Sequence, residues 1–263
     1  MMLTQFGKSL AKSAARTLLP RPLLVRVLAY RAIARKHNPE LTLLPHFNRG
    51  GIFVDVGANI GDFSRVGCLT FSHVVAFEPI PELAETLRRE LPGKVDVRSV
   101  ALSDSPGTAT LYIPVSNGRF TTGLSSLSRT ANPSEEFRYV TVSVQTLDGA
   151  GLDGVDLIKI DVEGLEEEVL RGGLTLLRRE RPGLIVEIED RHHPGRTPEI
   201  FDLLRNLGYL PFFFRDDRLC PVSTVDGNPA SYNLDSAGNY IPNFVLIHPS
   251  RFYPELRQLV DAN

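Results

Sequence analysis

Short apolar runs and helical repeats alternate along most of this chain. The apolar runs predict buried strands; they lie at 52–56, 73–77, 95–100, 155–162, 184–188, 209–214 and 243–247. Helical patterns follow several of these strands, at 62–71, 81–91, 165–178 and 198–207. Because short connections join strand to helix to strand, the order predicts an α/β fold with a doubly wound, mostly parallel, seven-stranded sheet.

Two segments interrupt this order. Residues 108–113 and 139–144 alternate between apolar and polar side chains and are rich in β-branched residues, which predicts an inserted β-hairpin. The intervening stretch, 116–134, is rich in Gly, Ser, Thr and Asn. Loops of that length are often functional, and the part around 123–126 could close over a site as a lid. A passive linker would have the same composition.

The N-terminal segment is basic. Between Met1 and Lys36 there are eight Lys and Arg residues and no acidic residue, and Pro20 and Pro22 interrupt the pattern. Arginines break every apolar run, so neither a secretory signal nor a membrane span is expected. We expect two short basic helices within an N-terminal extension over 1–48, ahead of one domain over 49–263. The extension is either a packed cap with a solvated basic face or a peripheral contact with the inner membrane face.

The bulk composition is that of a globular protein. The chain has 263 residues, a formal net charge of -2 and 42% hydrophobic residues. With no overall basic character, we expect a cytoplasmic protein without a nucleic-acid partner. Cys68 and Cys220 are too few for a disulfide framework and do not form a CxxC pair, so a thiolate zinc site is not expected either.

The turn after the first strand reads Asp55-Val-Gly57-Ala-Asn59-Ile-Gly61. In open α/β sheets, ligands bind at this edge, and Gly57 and Gly61 permit a tight turn and close approach of the backbone to a ligand. The carboxylate of Asp55 would repel a pyrophosphate and attract an ammonium group. S-Adenosylmethionine carries an ammonium beside a carboxylate, so this turn favours it over a nicotinamide dinucleotide. A nicotinamide-dependent oxidoreductase is the weaker alternative.

The next two strand ends carry further candidates. Glu78 follows the second strand at a distance along the chain from Gly57 that suits a carboxylate binding a ribose diol. Ser103 and Asp104 follow the third strand. Together with the apolar Ala101 and Leu102 before them, they could border an adenine, or they could simply form an Asx-type turn.

The later strands carry candidates for chemistry on an acceptor. Lys159, Asp161 and Glu163 alternate along one strand, and Glu187 lies at the end of the next. Methylating an alcohol requires positioning its oxygen and removing its proton. We expect Asp161 to orient the acceptor and Glu163 and Glu187 to orient a base or substrate. Lys159 could belong to this catalytic set or form a structural ion pair.

Two histidines and one acidic run complete the candidates. His192 or His193 could act as the base, because histidine titrates near neutral pH. A hard divalent cation held by Asp161, Glu163 and Glu187 is an alternative way to lower the pKa of the acceptor. The acidic run 166–168 is expected to be a solvated charge cluster at a helix N-terminus.

Several motifs occur together in a characteristic order. They are VDVGANIGDFS, VVAFEPIPE, VRSVALSDSPGTATL, VQTLD, VDLIKIDVEGLEEEVLRGG and LIVEIE. Over roughly residues 50–209 the chain thereby resembles the FkbM family of methyltransferases. The resemblance implies a Rossmann-like class I methyltransferase fold, S-adenosylmethionine as donor, and small-molecule or glycan acceptors such as sugars, glycolipids and natural products.

The resemblance also implies roles for individual residues. The methionine end of the donor would lie at Asp55, Gly57, Asn59 and Gly61, the ribose at Glu78, and the adenine side at Ser103 and Asp104. A catalytically idle, methyltransferase-like binding module is the alternative from another functional class.

Overall fold

The structure, a computed structural model, describes residues 19–116, 118–128, 134, 136–192, 195–222, 233–234, 239–251 and 253–260. Within these residues the α-helices are α1 (Arg21–Ala34), α2 (Leu44–Phe47), α3 (Asp62–Thr70), α4 (Pro81–Glu90), α5 (Glu166–Arg171), α6 (Leu174–Glu180), α7 (Thr197–Asn206) and α8 (Pro254–Leu259). The strands are β1 (Ile52–Val56), β2 (His73–Phe77), β3 (Val95–Arg98), β4 (Ala101–Leu102), β5 (Gly107–Ser116), β6 (Arg119–Phe120), β7 (Glu136–Gln145), β8 (Val155–Ile160), β9 (Gly183–Glu187), β10 (Leu210–Arg215), β11 (Arg218–Pro221) and β12 (Asn243–Ile247).

The main sheet has the order β11-β10-β12-β9-β8-β1-β2-β3. Strands β3, β2, β1, β8 and β9 are mutually parallel, whereas β12, β10 and β11 add antiparallel pairs. The predicted Rossmann-like, doubly wound fold is confirmed. The order in which successive strands are added to the sheet reverses between β1 and β8, which are themselves parallel. The predicted count of seven strands is wrong by one, because β11 forms a hairpin with β10. The four residues of β11 are too few to show the pattern of apolar and polar side chains from which a strand is predicted.

Hydrophobic cores cover both faces of this sheet. Phe53 and Val54 are neighbours on β1 and both are fully buried, but they belong to different cores. Successive side chains of a strand point to opposite faces, so a strand covered by helices on both sides is apolar throughout. All six residues of β8 are buried for the same reason, which places the charged Lys159 inside the protein.

The predicted helix over 165–178 is two helices, α5 and α6. They separate at Gly172 and Gly173, where the chain passes the turn after β4. A Cβ on Gly172 would lie 2.1 Å from the carbonyl oxygen of Ser103, so only glycine fits this contact. Of the two helices expected near the N-terminus, α1 is present, and the other would lie in 1–18, outside the described residues. No helix in the described parts of the chain is long and apolar enough to cross a bilayer.

The predicted inserted hairpin is confirmed and belongs to a second sheet. β5 and β7 pair antiparallel from Gly107↔Val144 to Val115↔Glu136, and the four strands have the order β4-β7-β5-β6. A 3₁₀-helix, Thr122–Leu124, follows β6. This second sheet lies over the carboxyl edge of the main sheet, since its Leu111 shares a cavity with Val56 of β1.

Candidate active site

An open cavity lies at the carboxyl ends of β1, β2 and β8. Its floor, which we define as the strand-end residues of the main sheet, includes Gly57, Asn59, Glu78, Asp161 and Glu163. Its roof, the residues contributed by the second sheet and the following loop, consists of Leu111, Thr122, Gly123, Ser125 and Leu127. The cavity therefore joins residues from four of the six motifs that the sequence singled out.

The glycines of the turn after β1 are required by contacts within the protein. Gly57 has φ +76°, and a Cβ there would lie 1.9 Å from the carbonyl oxygen of Asp161. Gly61 has φ +85°, and its Cβ would meet the side chain of Leu87 at 2.5 Å. Both positions favour glycine by backbone conformation as well. Gly57 lines the cavity and Gly61 does not, and the cofactor contact of Gly61 stays a prediction.

Asn59 connects the turn to the neighbouring strand end and to the roof. Its backbone N–H donates to Glu78 Oε2 at 2.6 Å. Its side-chain Oδ1 accepts a hydrogen bond from Thr122 Oγ1 at 3.4 Å. Like a few other residues here, Asn59 has a left-handed backbone, with φ +48°. Asparagine tolerates that conformation better than most residues, which explains its place in the motif.

Glu78 presents a buried carboxylate to the cavity. It is only 3% exposed, and its Oε1 accepts a second hydrogen bond from the N–H of Ile80 at 2.8 Å. Burial raises the pKa of Glu78 to about 7, although these two N–H groups and Lys159 act in the opposite direction. The position fits the predicted contact with a ribose, and that role stays a prediction.

Asp55 lies behind the turn, away from the cavity. It is fully buried, its Oδ2 accepts a hydrogen bond from Ser64 Oγ at 2.6 Å, and its Oδ1 lies 3.7 Å from Lys159 Nζ. Burial raises the pKa of Asp55, against the effect of the Lys159 ammonium. The expected direct contact of Asp55 with a ligand is therefore corrected: the residue balances the charge of Lys159.

Lys159 links the residues that follow β1 to those that follow β8. Its Nζ donates to the carbonyl oxygen of Gly57 at 2.9 Å and lies 3.1 Å from Asp161 Oδ2. Burial disfavours the ammonium, but Asp161 and Asp55 more than compensate and raise the pKa of Lys159. Lys159 does not line the cavity. Of the two roles left open for it, the geometry favours the structural ion pair.

Asp161 is the carboxylate most accessible from the cavity, with 36% of its side chain exposed. Burial alone would raise its pKa, but the Lys159 ammonium and a hydrogen bond with Glu187 hold the pKa of Asp161 below its usual value. Burial and the neighbouring carboxylates raise the pKa of Glu187 to about 11. At neutral pH Glu187 is therefore protonated and donates to an ionised Asp161.

Glu163 lines the cavity next to Asp161 and has a left-handed backbone, with φ +54°. Its Oε2 lies 3.3 Å from Nε2 of His192, whose side chain is only 1% exposed. Nδ1 of His192 in turn lies 3.7 Å from Glu189 Oε2. Glu163 lines the cavity and His192 does not, so His192 reaches the cavity only through Glu163, and its role as the base stays a prediction. His193, the other candidate base, is outside the described residues.

The three carboxylates Asp161, Glu163 and Glu187 could hold a metal ion. One oxygen of each lies within 4.8 Å of the others. Carboxylate oxygens are preferred ligands of hard divalent cations. These are the residues of the predicted divalent-cation site, and that site stays a prediction. The same carboxylates of Asp161 and Glu187 can instead share a proton in a hydrogen bond.

The acidic run after Gly164 is not solvated. Glu166 and Glu167 are 1% and 2% exposed, so the expected charge cluster is wrong for these two residues. Glu166 accepts hydrogen bonds from the N–H groups of Val162 and Gly164, and thereby fixes the turn that carries Glu163. Glu167 instead pairs with Arg171 and Arg196.

Ser103 and Asp104 lie outside the cavity wall. Asp104 is exposed and accepts a hydrogen bond from Ser105 Oγ at 2.7 Å, so the structure favours the turn over the adenine contact. The wall at this end is formed by the three preceding residues, Val100, Ala101 and Leu102. The sequence predicts Ala101 and Leu102 as apolar contacts beside an adenine, whereas Val100 was missed, although its apolar character at a strand end was the available signal.

The roof adds one polar group, which belongs to the loop around 123–126 that the sequence indicates as a possible lid. Among the described residues, Ser125 Oγ is buried without a hydrogen-bond partner. Because Ser125 lines the cavity, this hydroxyl is available to a ligand there.

Sequence comparisons match this chain to methyltransferases. The family model described as Methyltransferase FkbM domain matches residues 55–211. "Methyltransferase sdnD" of Sordaria araneosa is 28% identical over 215 residues, covering 68% of this chain and 80% of the relative. "2-O-methyltransferase NoeI" of Sinorhizobium fredii (strain NBRC 101917 / NGR234) is 31% identical over 184 residues, covering 62% of this chain and 75% of the relative.

Solved structures give weaker likenesses. The crystal structure of methyltransferase FkbM from Methylobacillus flagellatus KT has a TM-score of 0.46 and 16% identity, with 76% of this chain and 44% of that chain covered. This chain thus spans less than half of that protein. An O-methyltransferase from Bacillus cereus in complex with SAH has a TM-score of 0.42 and 13% identity, with 90% and 96% covered.

Proposed function

The chain belongs to the FkbM family of methyltransferases, and we propose that it transfers the methyl group of S-adenosylmethionine to a hydroxyl oxygen. The acceptors that we propose are hydroxyl groups of sugars, glycolipids or natural products. The observation that carries the proposal is that Asp161 and Glu163 face the same cavity as Glu78. A relative named as a 2-O-methyltransferase supports oxygen as the acceptor atom.

The residues around the cavity fit the proposed donor. Glu78 can accept hydrogen bonds from both ribose hydroxyls, and the wall formed by Val100, Ala101 and Leu102 suits the face of an adenine. At the other end, Gly57 and Asn59 would hold the amino-acid portion. When bound, S-adenosylmethionine supplies a methyl group on a positively charged sulfur, which an acceptor oxygen can displace.

On the acceptor side, Asp161 orients the hydroxyl by accepting its hydrogen bond. Because its pKa is held low, Asp161 is a weak base and serves positioning better than proton removal. Glu163 takes the proton as the new oxygen–carbon bond forms and the carbon–sulfur bond breaks. His192, 3.3 Å away, then acts through Glu163 as a positioning residue.

A second possibility on the acceptor side is a divalent cation bound by Asp161, Glu163 and Glu187. The observation that favours it is that one carboxylate oxygen of each residue lies within 4.8 Å of the others. Such an ion would replace the proton of Glu187 and would stabilise a deprotonated acceptor. Exhaustive treatment with EDTA distinguishes the two arrangements. Full activity after treatment rules the ion out, and loss restored by added Mg²⁺ or Mn²⁺ supports it.

The proposed activity is tested in two steps. Calorimetry first measures binding of S-adenosylhomocysteine and of NADH; binding of NADH alone would support the oxidoreductase alternative. Release of S-adenosylhomocysteine is then measured with a panel of free sugars, glycolipids and hydroxylated natural products. Asp161→Asn and Glu163→Gln should each lower kcat by about 10²–10⁴-fold while retaining product binding.

The matched control is Glu255→Gln, an exposed carboxylate of α8 outside the cavity. It should leave kcat within about twofold of wild type, as expected for a surface substitution. Tight binding of S-adenosylhomocysteine without turnover on any acceptor would instead favour the non-catalytic binding module.

A further inference from the structure

Helix α1 carries apolar side chains on its outer face as well as its inner face. The inner face buries Leu24, Val25 and Ala29, which hold the helix against the rest of the protein. On the outside, however, Leu23 is 47% exposed and Tyr30 is 71% exposed. Exposed apolar side chains on a preformed helix are typical of a surface that contacts something else.

These outer side chains form a stripe. Leu23, Val27, Tyr30 and Ala34 are spaced by four, three and four residues, which places them above one another on one side of a helix. At about 100° per residue, Arg26 lies on one side of the stripe and Arg31 on the other. Both arginines are exposed, and the described residues provide neither of them with a carboxylate partner.

The charged side chains of α1 are all arginines. The first acidic residue of the chain is Glu40, and it is buried. At the end of α1, Arg35 pairs with Asp62 at 2.6 Å, and the more exposed part of the helix keeps its positive charge. The outer face is therefore cationic although the whole chain has a formal net charge of -2.

We propose that the outer face of α1 is a docking surface for an anionic phospholipid bilayer. An apolar stripe between arginines matches such a surface in both respects: the stripe enters the headgroup layer, and the guanidinium groups pair with lipid phosphates. A nucleic acid would engage the arginines and leave Leu23 and Tyr30 without a function. The proposal rests on α1 alone and is independent of the proposed methyl transfer.

Co-sedimentation of the full chain with vesicles tests the proposal. We compare vesicles of phosphatidylcholine alone with vesicles in which about one third is phosphatidylglycerol. We expect binding to the anionic vesicles only, weakened when salt is raised from about 0.1 M to about 0.5 M. Equal binding to both vesicles, absence of binding, or preferential binding to duplex DNA in competition would overturn the proposal.

Paired variants locate the surface. Arg26→Gln/Arg31→Gln should lower the partition coefficient about 25-fold, about fivefold for each charge. Leu23→Ser/Tyr30→Ser should also lower it while leaving the net charge unchanged. The control Arg178→Gln/Arg205→Gln removes two exposed arginines from other helices and should retain binding.

The results have clear readings. If the α1 variants bind like wild type, or if the control loses as much binding as they do, α1 is not the docking surface. All substituted side chains are exposed, and of the substituted arginines only Arg205 has an ion-pair partner in the described residues, Asp202. Unchanged thermal unfolding therefore verifies that each variant is folded.

Discussion

Lys159 donates a hydrogen bond from its buried ammonium group to the carbonyl oxygen of Gly57, 2.9 Å away. The contact ties the end of β8 to the turn after β1, the two elements that meet at the floor of the cavity. Asp55 and Asp161 balance the charge from either side. The geometry of the turn thus depends on a buried charge that lies outside the cavity lining.

Removing that charge should be costly. Lys159→Met should lower the free energy of unfolding at pH 7 by about 3 kcal/mol or more, since two carboxylates lose their buried partner. Asp55→Asn/Lys159→Met should recover part of the loss. Urea unfolding of wild type, both single variants and the double variant measures this coupling. Strictly additive effects would show that Asp55 and Lys159 do not stabilise each other.

Product binding should depend on pH through Glu78. The pKa of Glu78 is raised to about 7, and only the ionised carboxylate accepts hydrogen bonds from both ribose hydroxyls. The affinity for S-adenosylhomocysteine should therefore rise between pH 6 and pH 8 and then level off. Calorimetry across this range measures the effect.

Glu78→Gln is the matched variant for that experiment. It should bind more weakly and lose most of the pH dependence, because the amide does not titrate. A wild-type affinity that is flat across the range, or an unchanged slope in Glu78→Gln, would contradict the predicted contact with the ribose.

His192 should influence turnover only through Glu163. His192→Asn should lower kcat by about 10-fold or more with little change in product affinity, as for a residue that orients a catalytic group. In Glu163→Gln the same substitution should have almost no further effect on kcat. Independent losses in the double variant would mean that His192 acts without Glu163.

Glu40 should make stability fall as the pH rises. Burial raises the pKa of this carboxyl to about 7, above its usual value. Its stabilising, protonated state is thus fully present at low pH and is lost as the pH increases to about 7. Glu40→Gln should leave Tm nearly unchanged at about pH 4.5 and raise stability by about 1–3 kcal/mol at pH 8. An equal effect at both pH values would argue against titration of Glu40.

Gly57 should not tolerate a side chain even without a ligand. Gly57→Ala combines a left-handed backbone with a Cβ placed 1.9 Å from a carbonyl oxygen, and should destabilise the protein by at least about 2 kcal/mol. Gly107→Ala is the control, because no atom lies within 4 Å of a Cβ at that position. Without ligand, the Tm of Gly57→Ala should be clearly lower than the Tm of Gly107→Ala. Similar Tm values would contradict the packing explanation.

Much of the fold could be predicted because the signals are local. The strand at 52–56 and the one at 243–247 coincide with the observed β1 and β12. Each has an apolar run long enough to be buried on both sides of a sheet. β11 was missed because its four residues, next to a tight turn, do not form an apolar run. It is a strand because it pairs with β10.

For the site, the sequence predicts which strand ends meet but not which way each side chain points. Asp161 and Glu78 reach the cavity, whereas Asp55 is turned away from it by Ser64 and Lys159. Glu166 is buried for a related reason: the N–H groups of Val162 and Gly164 need an acceptor. Both outcomes depend on partners distant in sequence or on an unusual turn, which spacing alone does not encode.

The cavity draws its floor and its roof from different sheets. The floor residues are held by the register of the central strands and by the buried Lys159, so few substitutions there are compatible with folding. The roof residues Thr122, Gly123 and Ser125 belong to an insertion between β3 and β8. Evolution or directed mutagenesis can therefore alter the roof separately, which makes it the natural place to vary the shape of the cavity while the main sheet is kept.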